Sequence, residues 1–433
     1  MSDSGPPGPS QDPLGIVQDL LRERRAIAPE DRDLPLGWWY HAKKRHALFP
    51  GVARAQSARF LADHYRALEH AQGPLRKLVN VATNAGFKAW AGWRARQVAR
   101  RYGMPEGWAA RASGIARRRF VDPNDIALFR ITDDAEMDSY LRRFESSGLS
   151  RLFNPENWAR DCVLANKIDF YLTGLAAGLP VPALYGIWSS GTARAIALPA
   201  EQEVIVKPND GEGGDGVELV TVPQDARGDP AGFARWIEAY CAGRSGEWIV
   251  QERLRPSAEL DGIALSALPT MRLTTFLNEA GEPEIVTSVL RFPSDPDSRV
   301  DNIKSGGLMA PIDPETGMLG QGCRGRGVGD YDHHPATGAP ITGRVLTSWE
   351  EARALVVATH DRHFRRYSLV GWDIAPTTRG PIIIEGNGKP CMIVAQRANR
   401  KGLGATRYGE LIAWHLAERR AGRDPLKRPR GPQ

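Results

Sequence analysis

The sequence predicts a protein of mixed helices and strands, in which a helical amino-terminal region precedes a larger region of the α/β or α+β class. The chain before about Phe120 consists of segments rich in Ala, Arg and Leu, with breaks at Pro50-Gly51, Gly73-Pro74 and Gly103. After Phe120, helical stretches alternate with strand-like runs such as EVIVKP, VELVTV, EWIVQERL and PIIIEGN. We therefore expect the binding and catalytic residues in the second region.

Length and composition limit the class of protein. With 433 residues, 42% of them hydrophobic, the chain is long enough for two or three domains. No run approaches the ~18 apolar residues that span a bilayer, and the start MSDSGPPGPSQDP lacks the basic and apolar parts of a signal peptide. We expect a cytoplasmic protein with no transmembrane segment. The cysteines lie far apart, which does not suggest a zinc site or a disulfide framework.

The positive charge is concentrated near the amino terminus. The net charge is +6, and the run from Lys88 to Arg119 combines many arginines with Trp90 and Trp93. Such a run is compatible with a nucleic acid, a phospholipid or another polyanion. We favour a solvated helix face, because no recognition motif accompanies the run, and we do not expect nucleic acid as a partner. The sequence does not determine the oligomeric state.

Residues 203–220 form the first segment that indicates chemistry. EVIVKPNDGEGGDGVELV predicts a strand, a glycine loop and a second strand. It contains Gly-x-Gly-x-x-Gly, but a dinucleotide-binding loop would have to open a helix, and the P-loop motif is missing from the sequence. The remaining hypothesis is a hairpin that covers phosphates with its backbone N–H groups while Lys207 supplies a positive charge. A glycine-rich turn without a ligand is the alternative.

Residues 370–387 predict a hairpin with acidic residues on one face. If the turn is centred on Arg379, Asp373 pairs across the strands with Glu385, and Asn387 lies two residues further on the same face. Opposed carboxylates with Cβ atoms ~5 Å apart repel each other unless a cation lies between them. Two carboxylates and an amide suit Mg²⁺, which also binds nucleotide phosphates. We predict a magnesium site here; a surface hairpin with scattered acids is the alternative, against which the apolar neighbours argue.

The order of these motifs resembles that of the ATP-grasp superfamily, in which a lysine strand and a glycine loop precede Asp-x11-Glu-x-Asn on paired strands. The chain is most similar to the sugar-transfer-associated ATP-grasp proteins, through ANKIDFYLTGLAAGLPVP, IVKPNDGEGGDGV, LPTMRLTT, VDNIKSGG, HHPATG and GWDIAPTTRGPIIIEGN in that order. The resemblance covers about residues 120–396. It implies an α+β ATP-grasp fold, in which two α+β subdomains close over ATP.

Domain boundaries follow from the composition and the resemblance together. We predict a disordered tail at 1–13, a basic helical amino-terminal region at 14–119 and an ATP-grasp domain at 120–412. The end of a helix and a basic tail would then occupy 413–433.

The resemblance also implies a role for each matching residue. The residues that match the family's ATP contacts are two lysines that bind phosphates, the glycines of the lid loop and the end of the strand that binds adenine. They are Lys167 and Lys207; Gly211, Gly213, Gly214 and Gly216; and Glu252, Arg253 and Leu254. Asp373, Glu385 and Asn387 match the magnesium site. Lys389 falls where relatives often carry a basic residue near the reacting centre.

Two arginines are the candidates for contact with the second substrate. Arg272 and Arg291 lie on strand-like segments, where a guanidinium would face an anionic acceptor or a developing oxyanion. For either residue alone, an ordinary exposed arginine is an equal alternative.

The function implied by the resemblance is ATP- and Mg²⁺-dependent ligation. The γ-phosphoryl group would be transferred to a small-molecule carboxylate, and an amine or another nucleophile would attack the acyl phosphate, in cell-surface polysaccharide or glycan precursor synthesis. Two alternatives stay open. A phosphotransferase would phosphorylate an acceptor without condensation, and a regulatory ATP-binding protein would use its basic amino-terminal region on a polyanion.

Overall fold

The structure, a computed structural model, describes residues 12–28, 30, 59–210, 214–265, 267–296, 306–325 and 328–427. Most of the predicted amino-terminal tail and the basic end from residue 428 lie outside the described residues, as do Gly211 and Gly213 of the glycine loop. Helices dominate the described chain up to Phe153, and strands become frequent from Leu184 onward.

The predicted helical amino-terminal region is confirmed. Its described helices are α1 (Pro13–Ala26), α2 (Ala62–His70), α3 (Pro74–Tyr102) and α4 (Trp108–Arg119), and two more helices, α5 (Pro123–Phe129) and α6 (Arg143–Phe153), follow it. The Asp12 and Asp122 side chains cap the first turns of α1 and α5, each just before a proline at the first helical position. Gly103 ends α3 in a left-handed conformation. None of the described helices combines the length and the apolar character needed to cross a lipid bilayer.

Helix α1 packs apart from the other amino-terminal helices. Its buried residues Val17, Leu20 and Leu21 belong to the same apolar core as helix α7 (Lys167–Ala176). Helix α2, by contrast, contributes Tyr65 to a second core, which contains the carboxyl-terminal helices. The amino-terminal segment therefore supports two different parts of the molecule.

A five-stranded antiparallel sheet holds the glycine loop. Its strands are β1 (Leu184–Ser189), β2 (Thr192–Ala195), β3 (Glu203–Pro208), β4 (Glu218–Thr221) and β5 (Trp248–Glu252), in the order β2-β1-β5-β3-β4. Helix α8 (Pro230–Cys241) covers one face, where Phe233 and Ile237 pack against Val204 and Val206. Strand β5 is central and antiparallel to β3, so Pro208 at the end of β3 lies beside Trp248 at the start of β5, and Glu252 at the end of β5 lies beside Val204.

A seven-stranded antiparallel sheet forms the larger part of the fold. Its strands are β6 (Thr270–Leu277), β7 (Pro283–Phe292), β8 (Leu308–Pro311), β9 (Gly322–Arg324), β10 (Asp330–Tyr331), β11 (Leu369–Thr377) and β12 (Gly380–Asn387). The order is β10-β9-β8-β7-β6-β11-β12. Helix α9 (Trp349–His363) packs on one face with Trp372 and Ile374, and helices α10 (Met392–Asn399) and α11 (Arg407–Arg420) share a core with Phe276 and Leu369. The sheet is thus fixed by apolar cores on both faces.

The hairpin of β11 and β12 has the predicted pairing, but for a different reason. Asp373 pairs with Glu385, and Gly371 pairs with Asn387. The turn is not centred on Arg379, because Thr377 pairs with Gly380 and the register shifts between Asp373 and Ile374. One extra residue in β12 at this bulge restores the pairing that a turn centred on Arg379 would have given.

Candidate nucleotide and metal site

The site contains two lysines, one on helix α7 and one on the neighbouring strand β3. Lys167 is the first residue of α7, whose N-cap Asn166 accepts a hydrogen bond from the backbone N of Asp169. Lys207 lies near the end of β3. The Nζ atom of Lys167 donates to the carbonyl of Asn209, two residues after Lys207, at 3.0 Å. The two ammonium groups are close enough for each to disfavour the charge on the other.

Lys207 is buried and held in place by a tyrosine. Its side chain is buried, with 7% of the residue exposed, and Nζ donates to the hydroxyl of Tyr171 at 2.8 Å. The same hydroxyl donates to the carbonyl of Ile384 in β12 at 2.6 Å, so Tyr171 connects the lysine to the larger sheet. Burial, followed by the charge of Lys167, lowers the pKa of Lys207 to about 7, although Glu385 acts in the opposite direction. The lysine therefore titrates near neutral pH in the absence of a ligand.

The Asp373 and Glu385 carboxyl groups meet side by side, as the pairing of their strands requires. Burial raises the pKa of Glu385, and the charge of Asp373 and its hydrogen bond to Glu385 raise it further. The pKa of Asp373 is lowered although burial opposes this, because Arg272 and Arg291 lie against it. Without a metal, the pair therefore gives up its second proton less readily than two separate carboxyl groups would, and Glu385 is the member whose pKa is raised.

Arg272 and Arg291 both bind Asp373. Arg272 donates through Nε to one carboxylate oxygen and through Nη2 to the other, the second contact at 2.8 Å. Arg291 places Nη2 at 3.0 Å from Asp373 and also donates to the hydroxyl of Thr270 at 2.6 Å. Strand β6 carries Arg272 directly opposite Asp373, which explains the bidentate contact. The cation that opposed carboxylates require is thus supplied partly by guanidinium groups.

The remaining predicted residues near this end of β12 are Asn387 and Lys389. The Asn387 side-chain oxygen accepts a hydrogen bond from the backbone N of Lys389 at 2.8 Å. This local bond forms a turn that fixes the Asn387 amide on the same side of β12 as Glu385.

The residues that the sequence predicts as adenine contacts lie at the end of β5. The Glu252 carboxylate accepts hydrogen bonds from Arg379 at 2.6 and 2.7 Å and from the backbone N of Ala183 at 3.1 Å. Arg253 forms an ion pair with Glu203, and Leu254 follows it, partly buried. The Glu252 contact with Arg379 joins the smaller sheet to the turn of the β11–β12 hairpin.

The described glycines of the loop adopt backbone conformations that other residues avoid. Gly214 has φ of 83° and Gly216 has φ of 75°. A Cβ atom on Gly216 would lie 3.1 Å from the ring of Pro208. The described end of the loop therefore lies against Pro208, the residue after Lys207.

The donor set fits Mg²⁺ better than it fits a transition metal. In the part of the chain that the structure describes, no group of three or more His, Cys, Asp and Glu side chains is placed to hold a metal ion. Asp373, Glu385 and Asn387 offer two carboxylates and an amide, hard oxygen donors of the kind that Mg²⁺ shares with water and phosphate. Such a cation would favour the charged form of Glu385, whose pKa is raised by burial and by Asp373.

Comparison with known families identifies the fold. Residues 146–408 match the family described as sugar-transfer associated ATP-grasp. The chain belongs to this family. The two sheets and the helices that cover them accordingly form an α+β ATP-grasp fold, as the sequence predicts. The match begins in α6, so helices α1 to α5 precede the family's common segment.

Several solved structures are also similar. D-alanine–D-alanine ligase from Bacillus anthracis is 12% identical, with 64% of this chain and 70% of that chain covered and a TM-score of 0.32. The ATP-grasp ligase PsnB, complexed with a minimal precursor, is 14% identical, with 63% and 68% covered and a TM-score of 0.32. L-amino acid ligase from Bacillus licheniformis is 10% identical, with 62% and 55% covered and a TM-score of 0.33. No curated protein is significantly similar in sequence.

Sequence reasoning did not identify Tyr171 as a partner of Lys207. Tyr171 follows Lys167 by four residues, so helical periodicity would have placed both on one face of α7. The contacts of Arg272 and Arg291 with Asp373 depend on β6 lying between β7 and β11, which no local pattern predicts.

Proposed function

We propose that this member of the ATP-grasp family is an ATP- and Mg²⁺-dependent ligase that converts a carboxylate into an acyl phosphate for attack by an amine or another nucleophile. The observation that carries the proposal is the meeting of two lysines with a carboxyl pair. Glu385 interacts electrostatically with both Lys167 and Lys207. The lysine ammonium groups, which would bind phosphates, thus lie near carboxyl oxygens that would bind a metal, and binding of Mg-ATP requires both.

The lysines would hold the phosphates. Lys207 has a pKa of about 7 in the ligand-free protein, and a phosphate placed against its ammonium favours the charged form. When ATP binds, the buried amine of Lys207, which is unfavourable to charge in the free protein, would therefore become charged and pair with a phosphate. Lys167, at the first turn of α7, would add a second charge and the positive end of the helix dipole.

The glycine loop and the end of β5 would hold the rest of the nucleotide. Backbone N–H groups around Gly214 and Gly216 would donate to phosphate oxygens and keep water from the intermediate. The Glu252 carboxylate, which Arg379 and Ala183 keep in place, would accept a hydrogen bond from the adenine amino group. Arg253 and Leu254 would contribute their backbone groups to the same contact.

The chemistry would proceed in two displacements. An oxygen of the substrate carboxylate attacks the γ-phosphorus, the bond to the β,γ-bridging oxygen breaks, and ADP leaves. The nucleophile then attacks the carbonyl carbon of the acyl phosphate, loses its proton, and inorganic phosphate leaves. When bound by Asp373, Glu385 and Asn387, Mg²⁺ would neutralise charge on the phosphate oxygens.

The basic residues beyond the carboxyl pair would serve the second substrate. Arg272 and Arg291 would orient Asp373 and extend positive charge toward the substrate carboxylate, where they would stabilise the oxyanion that forms. Lys389, two residues beyond Asn387, would act near the same carbonyl. The association with sugar transfer in the family's description favours a precursor of a cell-surface glycan as substrate, processed in the cytoplasm.

Release of ADP and trapping of the intermediate test the proposal. The protein is incubated with Mg-ATP, hydroxylamine and a panel of amino acids, sugar acids and amino sugars. An acyl phosphate reacts with hydroxylamine to give a hydroxamate, whereas a phosphorylated alcohol does not. We expect hydroxamate and ADP in equal amounts with one class of carboxylate, and neither with Lys207→Met. A stable phosphorylated product without hydroxamate would identify a phosphotransferase instead, and no acceptor-dependent ADP release would favour a regulatory protein.

A further inference from the structure

Helix α1 precedes the family's common segment, yet it carries a buried arginine. The matched segment begins at residue 146, whereas α1 ends at Ala26. Arg24, in the last turn of α1, has a side chain that is only 12% exposed. A guanidinium buried to this extent requires paired acceptors.

The partners of Arg24 are two carboxylates and an amide. Nε donates to Asp169, Nη1 and Nη2 donate to the two oxygens of Glu247 at 2.7 and 3.2 Å, and Nη2 donates to Asn166 at 3.4 Å. Burial acts to raise the pKa of Glu247, but the hydrogen bonds and charge of Arg24, with bonds from Ser189 and Asn209, hold that pKa below its ordinary value. Arg24 therefore pairs with both carboxylates of this buried cluster.

One side of this cluster is the start of α7. Asn166, which Arg24 contacts, caps the helix by accepting a hydrogen bond from the backbone N of Asp169 at 2.9 Å. The Asp169 side chain, 7% exposed, lies in the first turn beside Lys167. Arg24 thus fixes the turn that presents the first phosphate-binding lysine.

The other side of the cluster is the end of β3. Glu247 accepts a hydrogen bond from the Asn209 side chain at 2.6 Å, and the Asn209 side-chain oxygen accepts one from the backbone N of Ile168 at 2.9 Å. The Asn209 carbonyl oxygen accepts a hydrogen bond from the Nζ of Lys167 at 3.0 Å. Since Asn209 follows Lys207 by two residues, the cluster sets the distance between both lysines.

We propose that Arg24 is a positioning residue for the nucleotide phosphates, and that helix α1 is consequently part of the ATP site. Arg24 joins Asp169 and Asn166, in the turn that carries Lys167, to Glu247, which holds Asn209 beyond Lys207. Without Arg24, two buried carboxylates would lose this cation, and the contacts that set the positions of the two lysines would loosen. The inference rests on the proposed function, because it requires that the two lysines bind ATP.

The experiment compares two variants of the full chain that loosen the same helix. Arg24→Met removes the guanidinium, whereas Glu23→Gln breaks an exposed ion pair between α1 and Arg194, 3.2 Å long, which is the matched control. Calorimetry measures the dissociation constants of Mg-ATP and of adenosine, which lacks phosphates. Arg24→Met is expected to weaken ATP binding about tenfold and to leave adenosine binding unchanged. Glu23→Gln is expected to match wild type for both ligands.

A more conservative change covers the case in which Arg24→Met does not fold. Arg24→Lys keeps the positive charge but loses the planar guanidinium that binds Asp169 and Glu247 at the same time. ATP binding should therefore weaken by less than in Arg24→Met, and adenosine binding should again be unchanged. Equal losses for ATP and adenosine would overturn the inference, since they indicate a general loosening of the fold. Wild-type ATP affinity in the Arg24 variants, alongside failure of Lys207→Met to bind, would overturn it and leave the proposed function standing. If wild-type protein bound no ATP, both would fall.

Discussion

The replacement Lys207→Met should change the pH dependence of folding as well as ATP binding. The ordinary pKa of a lysine is 10.5, and burial beside Lys167 lowers that of Lys207 to about 7. The unfolded chain therefore holds this proton more tightly than the folded protein does between these pH values. It follows that wild-type stability falls as the pH is lowered from about 10.5 toward 7, and that the penalty is complete below 7.

The size of the effect follows from the same two values. At about 1.36 kcal/mol for each pH unit between 10.5 and about 7, charging Lys207 in the folded protein costs roughly 3–5 kcal/mol. Methionine has similar length and no charge, so Lys207→Met escapes this cost but loses the hydrogen bond to Tyr171. The variant should thus gain stability over wild type as the pH falls, whatever the constant difference between the two side chains.

Urea denaturation followed by tryptophan fluorescence measures this gain. Wild type and Lys207→Met are compared from pH 6.5 to 10 without nucleotide, and Lys77→Met, at an exposed position on α3, is the control. The free energy of unfolding of Lys207→Met relative to wild type should rise steadily toward pH 7, whereas the control should track wild type. A difference that stays constant across this range would refute the assignment of Lys207 as a buried amine with a lowered pKa.

Three further predictions concern the ligands. Without metal, Glu385→Gln should be at least as stable as wild type at neutral pH, and this advantage should disappear below the ordinary pKa of glutamate, because the pKa of Glu385 is raised in the folded protein. Mg-ATP at 100 times its dissociation constant should stabilise wild type by about 2.7 kcal/mol, but should stabilise Glu385→Gln and Asn387→Ala much less. Equal thermal shifts in all three proteins would mean that these residues do not hold the metal. Without Mg²⁺, whose binding would favour the charged form of Glu385 and release a proton, ATP binding near pH 7.5 should take up protons as Lys207 becomes charged. The calorimetric enthalpy should then vary with the ionisation enthalpy of the buffer, and no variation would contradict this coupling. Glu252→Gln should weaken ATP binding on the order of tenfold and narrow the preference for ATP over GTP in competition experiments, while an unchanged preference would remove Glu252 from adenine recognition.

The carboxyl pair shows how far local periodicity reaches. A turn placed at Arg379 and the alternation of side chains along two strands together predicted that Asp373 pairs with Glu385; the pairing is observed, although the turn lies elsewhere. The bulge between Asp373 and Ile374 was not predictable, since it depends on how the hairpin packs rather than on its turn residues. The predicted and observed pairings therefore agree because two differences cancel: the turn is one residue shorter than predicted, and β12 has one extra residue at the bulge.

Contacts that depend on tertiary structure were beyond the sequence. The repulsion between the two carboxylates predicted a magnesium ion, which stays a prediction, whereas the contacts of Arg272 and Arg291 with Asp373 depend on the strand order of the larger sheet. Arg24 shares no local pattern with Asp169 or Glu247, from which it is separated by 145 and 223 residues. The ordered motifs that predicted the fold all lie within the segment that matches the family, whereas α1 lies before that segment.

Oxygen transfer from the carboxylate tests the central claim most directly. The carboxylate identified by hydroxamate formation is labelled with ¹⁸O at both oxygens and turned over with Mg-ATP and the nucleophile. If an acyl phosphate forms, one labelled oxygen leaves with each inorganic phosphate, and the condensed product retains the other. Mass spectrometry of the phosphate should therefore find one ¹⁸O per molecule of ADP released. Unlabelled phosphate, with both labels retained by the carboxyl group, would contradict activation of the carboxylate and with it the assignment as a ligase.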